Sequence, residues 1–218
     1  MHGYLSNGKS FYNQLDFFAK DYNVYAPDLK GFGENAVMER PYSLDDYIQS
    51  VKEYMEKNSI IRPHVIAHSF GARIVIKGSA KDNSLFNKIV LTGGAGLKPK
   101  DTLKKRFKRA TFNVLKHLVS KDRLKGFYSS DYLALSPIMQ QSFIKIVNEH
   151  LDDYLPKISN KTLLIFGKND KQTPLYMANK LNQNLPNSEL KIFDNAGHFA
   201  FIDCPMKFNL EVKEFLLS

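Results

Sequence analysis

The chain has little that would tie it together covalently or anchor it in a bilayer. It carries one cysteine, Cys204, in 218 residues, which excludes an intramolecular disulfide and suits a reducing compartment such as the cytoplasm. No apolar run approaches the roughly 18 to 20 residues needed to cross a membrane. Cysteine and histidine are never clustered at zinc-like spacing, so a structural metal is not expected. Internal repeats, low-complexity tracts and linkers are also missing. What remains is an ordinary globular composition, 43% hydrophobic and 24% charged, with enough length for one domain and a substantial core.

Acidic residues are scarce in one place only. Lys98 to Lys125 holds eleven Lys/Arg against two Asp, a net of +9 that equals the net charge of the whole chain. The rest of the chain is balanced. A uniformly basic surface would suggest a nucleic-acid partner, but this asymmetry marks a distinct element, and no recognised nucleic-acid-binding module is present. Leu103, Phe107, Ala110, Val114 and Leu118 follow helical spacing within it, among Lys104, Lys105, Arg106, Lys108 and Arg109. Such a basic amphipathic helix reads in two ways. It can lie weakly on an anionic membrane surface, or it can pack one apolar face over the body of the protein with its lysines in water.

The stretch that organises the chain is Pro63-His64-Val65-Ile66-Ala67-His68-Ser69-Phe70-Gly71-Ala72-Arg73-Ile74-Val75-Ile76. A short β-branched run enters a small-x-Ser-x-Gly turn and a second apolar run leaves it, which predicts strand, sharp turn and helix. A serine at that turn is pushed out at the end of a sheet, where a base can reach its Oγ. Ala67 and Gly71 are the small residues that relieve crowding on either side.

Along the rest of the chain, Ser10 is a candidate cap for a helix bearing Phe11, Leu15 and Phe18, and 22–27 reads as a short strand. Ser43 with Asp46 resembles a capping box ahead of Leu44, Tyr47, Ile48, Val51, Tyr54 and Met55. Strands are expected at 88–92, 161–167 and 190–193, a helix start at Thr173-Pro174, and a final helix carrying Phe208, Val212, Phe215 and Leu216. Between about 97 and 157 the pattern is helical without strands. Strands alternating with helices predict an α/β fold, a mostly parallel sheet covered on both faces, with a helical insertion.

In such a sheet chemistry gathers at the carboxyl ends of the strands. Ser69 stands at one. Gly167-Lys168-Asn169-Asp170 follows another, and Asp194-Asn195-Ala196-Gly197-His198 follows the last. A serine hydroxyl needs a base to take its proton, an imidazole can do so, and a carboxylate fixes the imidazole tautomer. Asp194 and Asp203 lie too close to His198 in sequence for that role. His2, His64, His68, His117 and His150 read as structural or solvent-facing, and Asp28 as a loop tie to backbone amides.

With the His2-Gly3 opening, Asp28-Leu29-Lys30-Gly31-Phe32-Gly33, Ala67-His68-Ser69-Phe70-Gly71, Gly167-x-x-Asp170 and Gly197-His198, the chain resembles the α/β-hydrolase superfamily over its whole length. The resemblance implies a catalytic triad of Ser69 as nucleophile, His198 as general base and acid, and Asp170 as the orienting acid. It implies an oxyanion hole from the backbone N–H groups of Tyr4 and Phe70, and a helical cap over 97–157. It implies no cofactor, and a small-molecule acyl substrate such as a carboxylic ester of small or medium acyl length. Carbon–carbon bond hydrolysis or acyl transfer would use the same triad. A catalytically silent binding protein would keep the pocket without turnover. The superfamily also has strands before the His-Gly turn, one of them central to its sheet, so the expectation is that Met1 is internal and that strand-forming residues precede it.

Overall fold

The computed structural model describes residues 1–100 and 130–218. Four parallel strands, β1 (Val65–His68), β2 (Ile89–Thr92), β3 (Thr162–Gly167) and β4 (Ser188–Phe193), pair in the order β1-β2-β3-β4. The α-helices among the described residues are α1 (Tyr12–Phe18), α2 (Leu44–Lys57), α3 (Phe70–Lys81), α4 (Ser130–Leu133), α5 (Pro137–Asn148), α6 (Leu175–Asn184), α7 (Ala200–Asp203) and α8 (Pro205–Leu217).

The two-residue period of the strands divides the core into two layers. On one face Ala67, Ile89, Leu91, Leu164 and Phe166 meet the apolar sides of α2, α3 and α6. On the other, Val90, Leu163, Ile165 and Phe193 meet Phe11 and Phe18 near α1 and Phe208, Val212 and Phe215 of α8. The inner strands are buried along their whole length, as a parallel sheet covered on both sides requires.

Local signals explain where α2 begins. The Ser43 hydroxyl accepts from Asp46 N–H, and the Asp46 carboxylate accepts from Ser43 N–H at 2.7 Å, a complete capping box. Two expectations fail. Ser10 caps nothing; its hydroxyl donates to Asn7 O inside a short 3-10 turn, Gly8–Phe11, that precedes α1. Residues 22–27 form no strand; they line an apolar cleft of about 350 Å³ that also borders Val65 and Ile66 of β1 and lies between them and a pairing partner. On that flank of β1, Met1 holds a ladder position: its amino group donates to Ile66 O and its carbonyl accepts from His68 N–H at 3.0 Å.

Between β2 and β3 the described part of the insertion comprises α4, α5 and a 3-10 turn, Asp152–Lys157. Side-chain ties fasten α5 to the body. Arg73 Nη1 donates to Ile146 O and Glu149 O at its end, and Tyr42 N–H donates to Ser142 Oγ at 2.9 Å. Residues 101–125 of the basic stretch, and the amphipathic helix expected there, lie outside the described residues. None of the helices among the described residues is long and apolar enough to cross a membrane.

Candidate active site

Because all four strands run the same way, the turns after β1, β3 and β4 open on one edge of the sheet. Ser69 sits in the first of them. Its φ of 48° and ψ of −102° put a residue with a side chain in a region that costs on the order of 1–3 kcal/mol. The surroundings enforce it. Ser69 N–H is bound to Thr92 O at 3.1 Å, and Gly71 N–H to His2 O at 3.1 Å. A Cβ on Gly71 would stand 2.6 Å from Met1 O, so glycine is needed for the chain start to pass this closely. Ala67 is fully buried.

Asp170 lies three residues beyond β3 and is buried. Gln172 and Thr173 N–H groups donate to its Oδ1, both at 2.8 Å, and the Thr173 hydroxyl donates to Oδ2 at 2.6 Å. The same Oδ2 is 2.8 Å from His198 Nδ1. Burial alone would raise the Asp170 carboxyl, but the hydrogen bonds from His198 and Thr173 outweigh it and hold the group below the ordinary carboxylate value. Since a carboxylate only accepts, Nδ1 carries the imidazole proton and Nε2 is left with a lone pair. Asp194, by contrast, pairs with Lys168 on the surface, and Asp203 Oδ2 accepts Gly197 N–H at 2.7 Å. Among these carboxylates the one on His198 is Asp170.

Tyr4 and Phe70 flank the serine turn, with ring centroids 5.3 Å apart in a T-shaped contact. Phe70 opens α3, so its N–H has no acceptor within the helix. Tyr4 N–H finds no acceptor among the described residues. The loop carrying Tyr4 is shaped by His2, whose Nε2 accepts Leu29 N–H at 2.9 Å and whose Nδ1 then donates to Gly3 O at 2.8 Å. The Tyr4 hydroxyl donates to Met139 O in α5, and its ring meets Phe143, so the same residue joins the serine turn to the insertion. Asp28 ties its loop as expected, accepting from Gly8 and Glu34 N–H groups, both at 2.7 Å.

Sequence reasoning missed two contributors. Thr173 looked like a helix cap, but α6 begins after Pro174 with no side-chain cap, and the threonine hydroxyl serves Asp170 instead. Asp203 looked like a rival acid; it braces the histidine loop. No group of three or more side chains suited to a metal ion occurs among the described residues.

A sequence profile described as "Alpha/beta hydrolase family" matches residues 1–210. The chain belongs to the alpha/beta hydrolase family. Among curated relatives of this hydrolase, a 2-hydroxy-6-oxo-6-phenylhexa-2,4-dienoate hydrolase of Burkholderia cepacia is 26% identical, covering 93% of this chain and 79% of its own. A 2-hydroxy-6-oxononadienedioate/2-hydroxy-6-oxononatrienedioate hydrolase of Comamonas testosteroni is also 26% identical, over 96% and 82%. Among solved structures, an esterase from Exiguobacterium antarcticum superposes with a TM-score of 0.78 at 22% identity, covering 100% of this chain and 90% of that one. At that identity the likeness speaks for the fold.

Proposed function

We propose that this hydrolase is a serine hydrolase that cleaves carboxylic esters of small or medium acyl substrates, with Ser69, His198 and Asp170 as its triad. One observation carries the reading: the buried carboxylate of Asp170 holds His198 Nδ1 at 2.8 Å, on the sheet edge where Ser69 occupies a strained strand-to-helix turn. With Nδ1 bearing the proton, Nε2 takes the Ser69 proton as Oγ bonds to the ester carbonyl carbon and the carbonyl π electrons move to oxygen. Backbone N–H groups of Tyr4 and Phe70 hold that oxyanion; losing one such donor typically costs on the order of 100- to 1,000-fold in rate. Collapse breaks the ester C–O bond, the leaving oxygen takes the proton from His198, and a water repeats the sequence to release the acid. No cofactor enters these steps. The proposed cap is the insertion 97–157, of whose described residues α5 reaches the serine turn through Tyr4.

The Burkholderia cepacia and Comamonas testosteroni relatives favour a second reading, hydrolysis of a carbon–carbon bond in a dienoate by the same triad. Intact mass after exposure to a fluorophosphonate, with Ser69→Ala and His198→Ala controls, tests the shared part. A single adduct lost in both controls is expected. A folded wild-type chain without an adduct would overturn the serine hydrolase reading in favour of a silent binding protein. Comparing turnover of p-nitrophenyl butyrate with that of a 2-hydroxy-6-oxo-dienoate then separates the ester from the carbon–carbon substrate.

A further inference from the structure

We infer that His68 is a positioning residue whose ring holds the main chain of His198 from the strand that delivers Ser69, keeping nucleophile and base in one register. The inference rests on the reading that these two residues react. β1 and β4 are the outer strands of the four, three strand spacings apart, or roughly 14 Å at about 4.8 Å each. The loop after β4 must therefore travel back across the sheet edge to bring its histidine near β1. It does arrive there: the His68 and His198 ring centroids are 4.6 Å apart.

His68 is the last residue of β1 and 2% exposed. Its Nε2 lies 3.0 Å from His198 O. A carbonyl only accepts, so Nε2 bears the proton, while Nδ1 abuts Gly3. Phe199 and Phe201 close the remaining sides, at 4.9 and 5.1 Å between centroids. Burial, with the nearby His198 adding to it, pushes the His68 pKa down to about 3, so the ring stays uncharged through the neutral range. Asp170 then orients the imidazole of His198 while His68 fixes its backbone, and the residue is held at both ends.

The test follows the rate of fluorophosphonate adduct formation at Ser69 in the full chain, with folding checked by thermal melts. Phe in place of His68 keeps the aromatic volume and removes the donor; His68→Phe is expected to slow labelling about 10- to 100-fold. His68→Gln carries an amide nitrogen about as far from the backbone as Nε2 and is expected to stay within about fivefold of wild type. His68→Asn is too short and should match the Phe variant, which keeps the test decisive if the Phe variant does not fold. Imidazole ¹⁵N spectra of the wild type should show His68 neutral with the proton on Nε2 from pH 8 to 5. Labelling of His68→Phe at the wild-type rate, His68→Gln as slow as His68→Asn, or a proton on Nδ1 would overturn the inference. A wild-type chain with no Ser69 adduct overturns the underlying reading and the purpose given to His68 with it. A labelled wild type with unaffected variants overturns the His68 inference alone.

Discussion

At the scale of single residues, the site depends on which atom of Asp170 faces which donor. Two backbone N–H groups, of Gln172 and Thr173, are committed to Oδ1, leaving Oδ2 for His198 and the Thr173 hydroxyl. In Asp170→Asn the amide oxygen must stay on the two N–H donors, because an NH₂ there would face two other donors. The NH₂ group is then turned toward His198 and donates to Nδ1. That moves the imidazole proton to Nε2, where it can no longer accept one from Ser69. Side-chain geometry is preserved and the tautomer is wrong, so kcat on an ester substrate should fall on the order of 10,000-fold with the melting transition still cooperative. Activity within tenfold of wild type would show that His198 does not act through that tautomer.

At the scale of elements, the histidine loop is placed by how closely it crosses the end of β3. A Cβ on Gly167 would lie 2.1 Å from Gly197 O and 2.3 Å from Ala196 O, both backbone atoms that cannot swing aside. Gly167→Ala should push the loop outward by about 1 Å or more, which typically costs about 100-fold in rate for a reacting group. The stability loss should be about 1–3 kcal/mol, read from urea unfolding, because the β3–β4 ladder itself is unchanged. Equal rates for the two proteins would mean that the loop adapts without moving His198. Elements defined by local chemistry were legible in the sequence: the apolar runs of β2 and β3, the Ser43–Asp46 cap and the apolar stripe of α8 need only their own neighbours. The order of Ser69, Asp170 and His198 along the chain was legible for the same reason, each following its own strand. What was not legible depended on partners distant in sequence. Thr173 has the composition of a cap, and nothing local says that Asp170 will claim its hydroxyl. Residues 22–27 have strand composition, but a strand also needs an edge to pair with, and these face β1 across a cleft.

At the scale of the whole molecule, folding encloses histidines that must stay neutral, and this sets how stability varies with acidity. His2 and His68 are both buried, and burial lowers the pKa of each below the value near 6.5 that an unfolded chain gives them. The unfolded state therefore binds more protons below pH 6.5, and stability falls as the pH is lowered through that range. For His68 the loss continues down to about pH 3, where the folded state also accepts the proton. Carboxylates lowered by their partners, Asp170 and Asp45 among them, act in a separate window: their contribution is complete above about pH 4 and is lost only below it. Between pH 7 and 5, then, the decline belongs to the buried histidines. His68→Gln isolates one share, because glutamine can make the same donor contact and does not titrate. From pH 7 to pH 5 the wild type should lose about 2 kcal/mol more unfolding free energy than His68→Gln, by urea titration at both pH values. Parallel losses in the two proteins would mean that His68 takes up its proton in the folded state as readily as in the unfolded chain. The ring would then be a charged imidazolium at pH 5, still donating from Nε2 to His198 O, and a neutral tie between the end of β1 and the β4 loop would have to be abandoned.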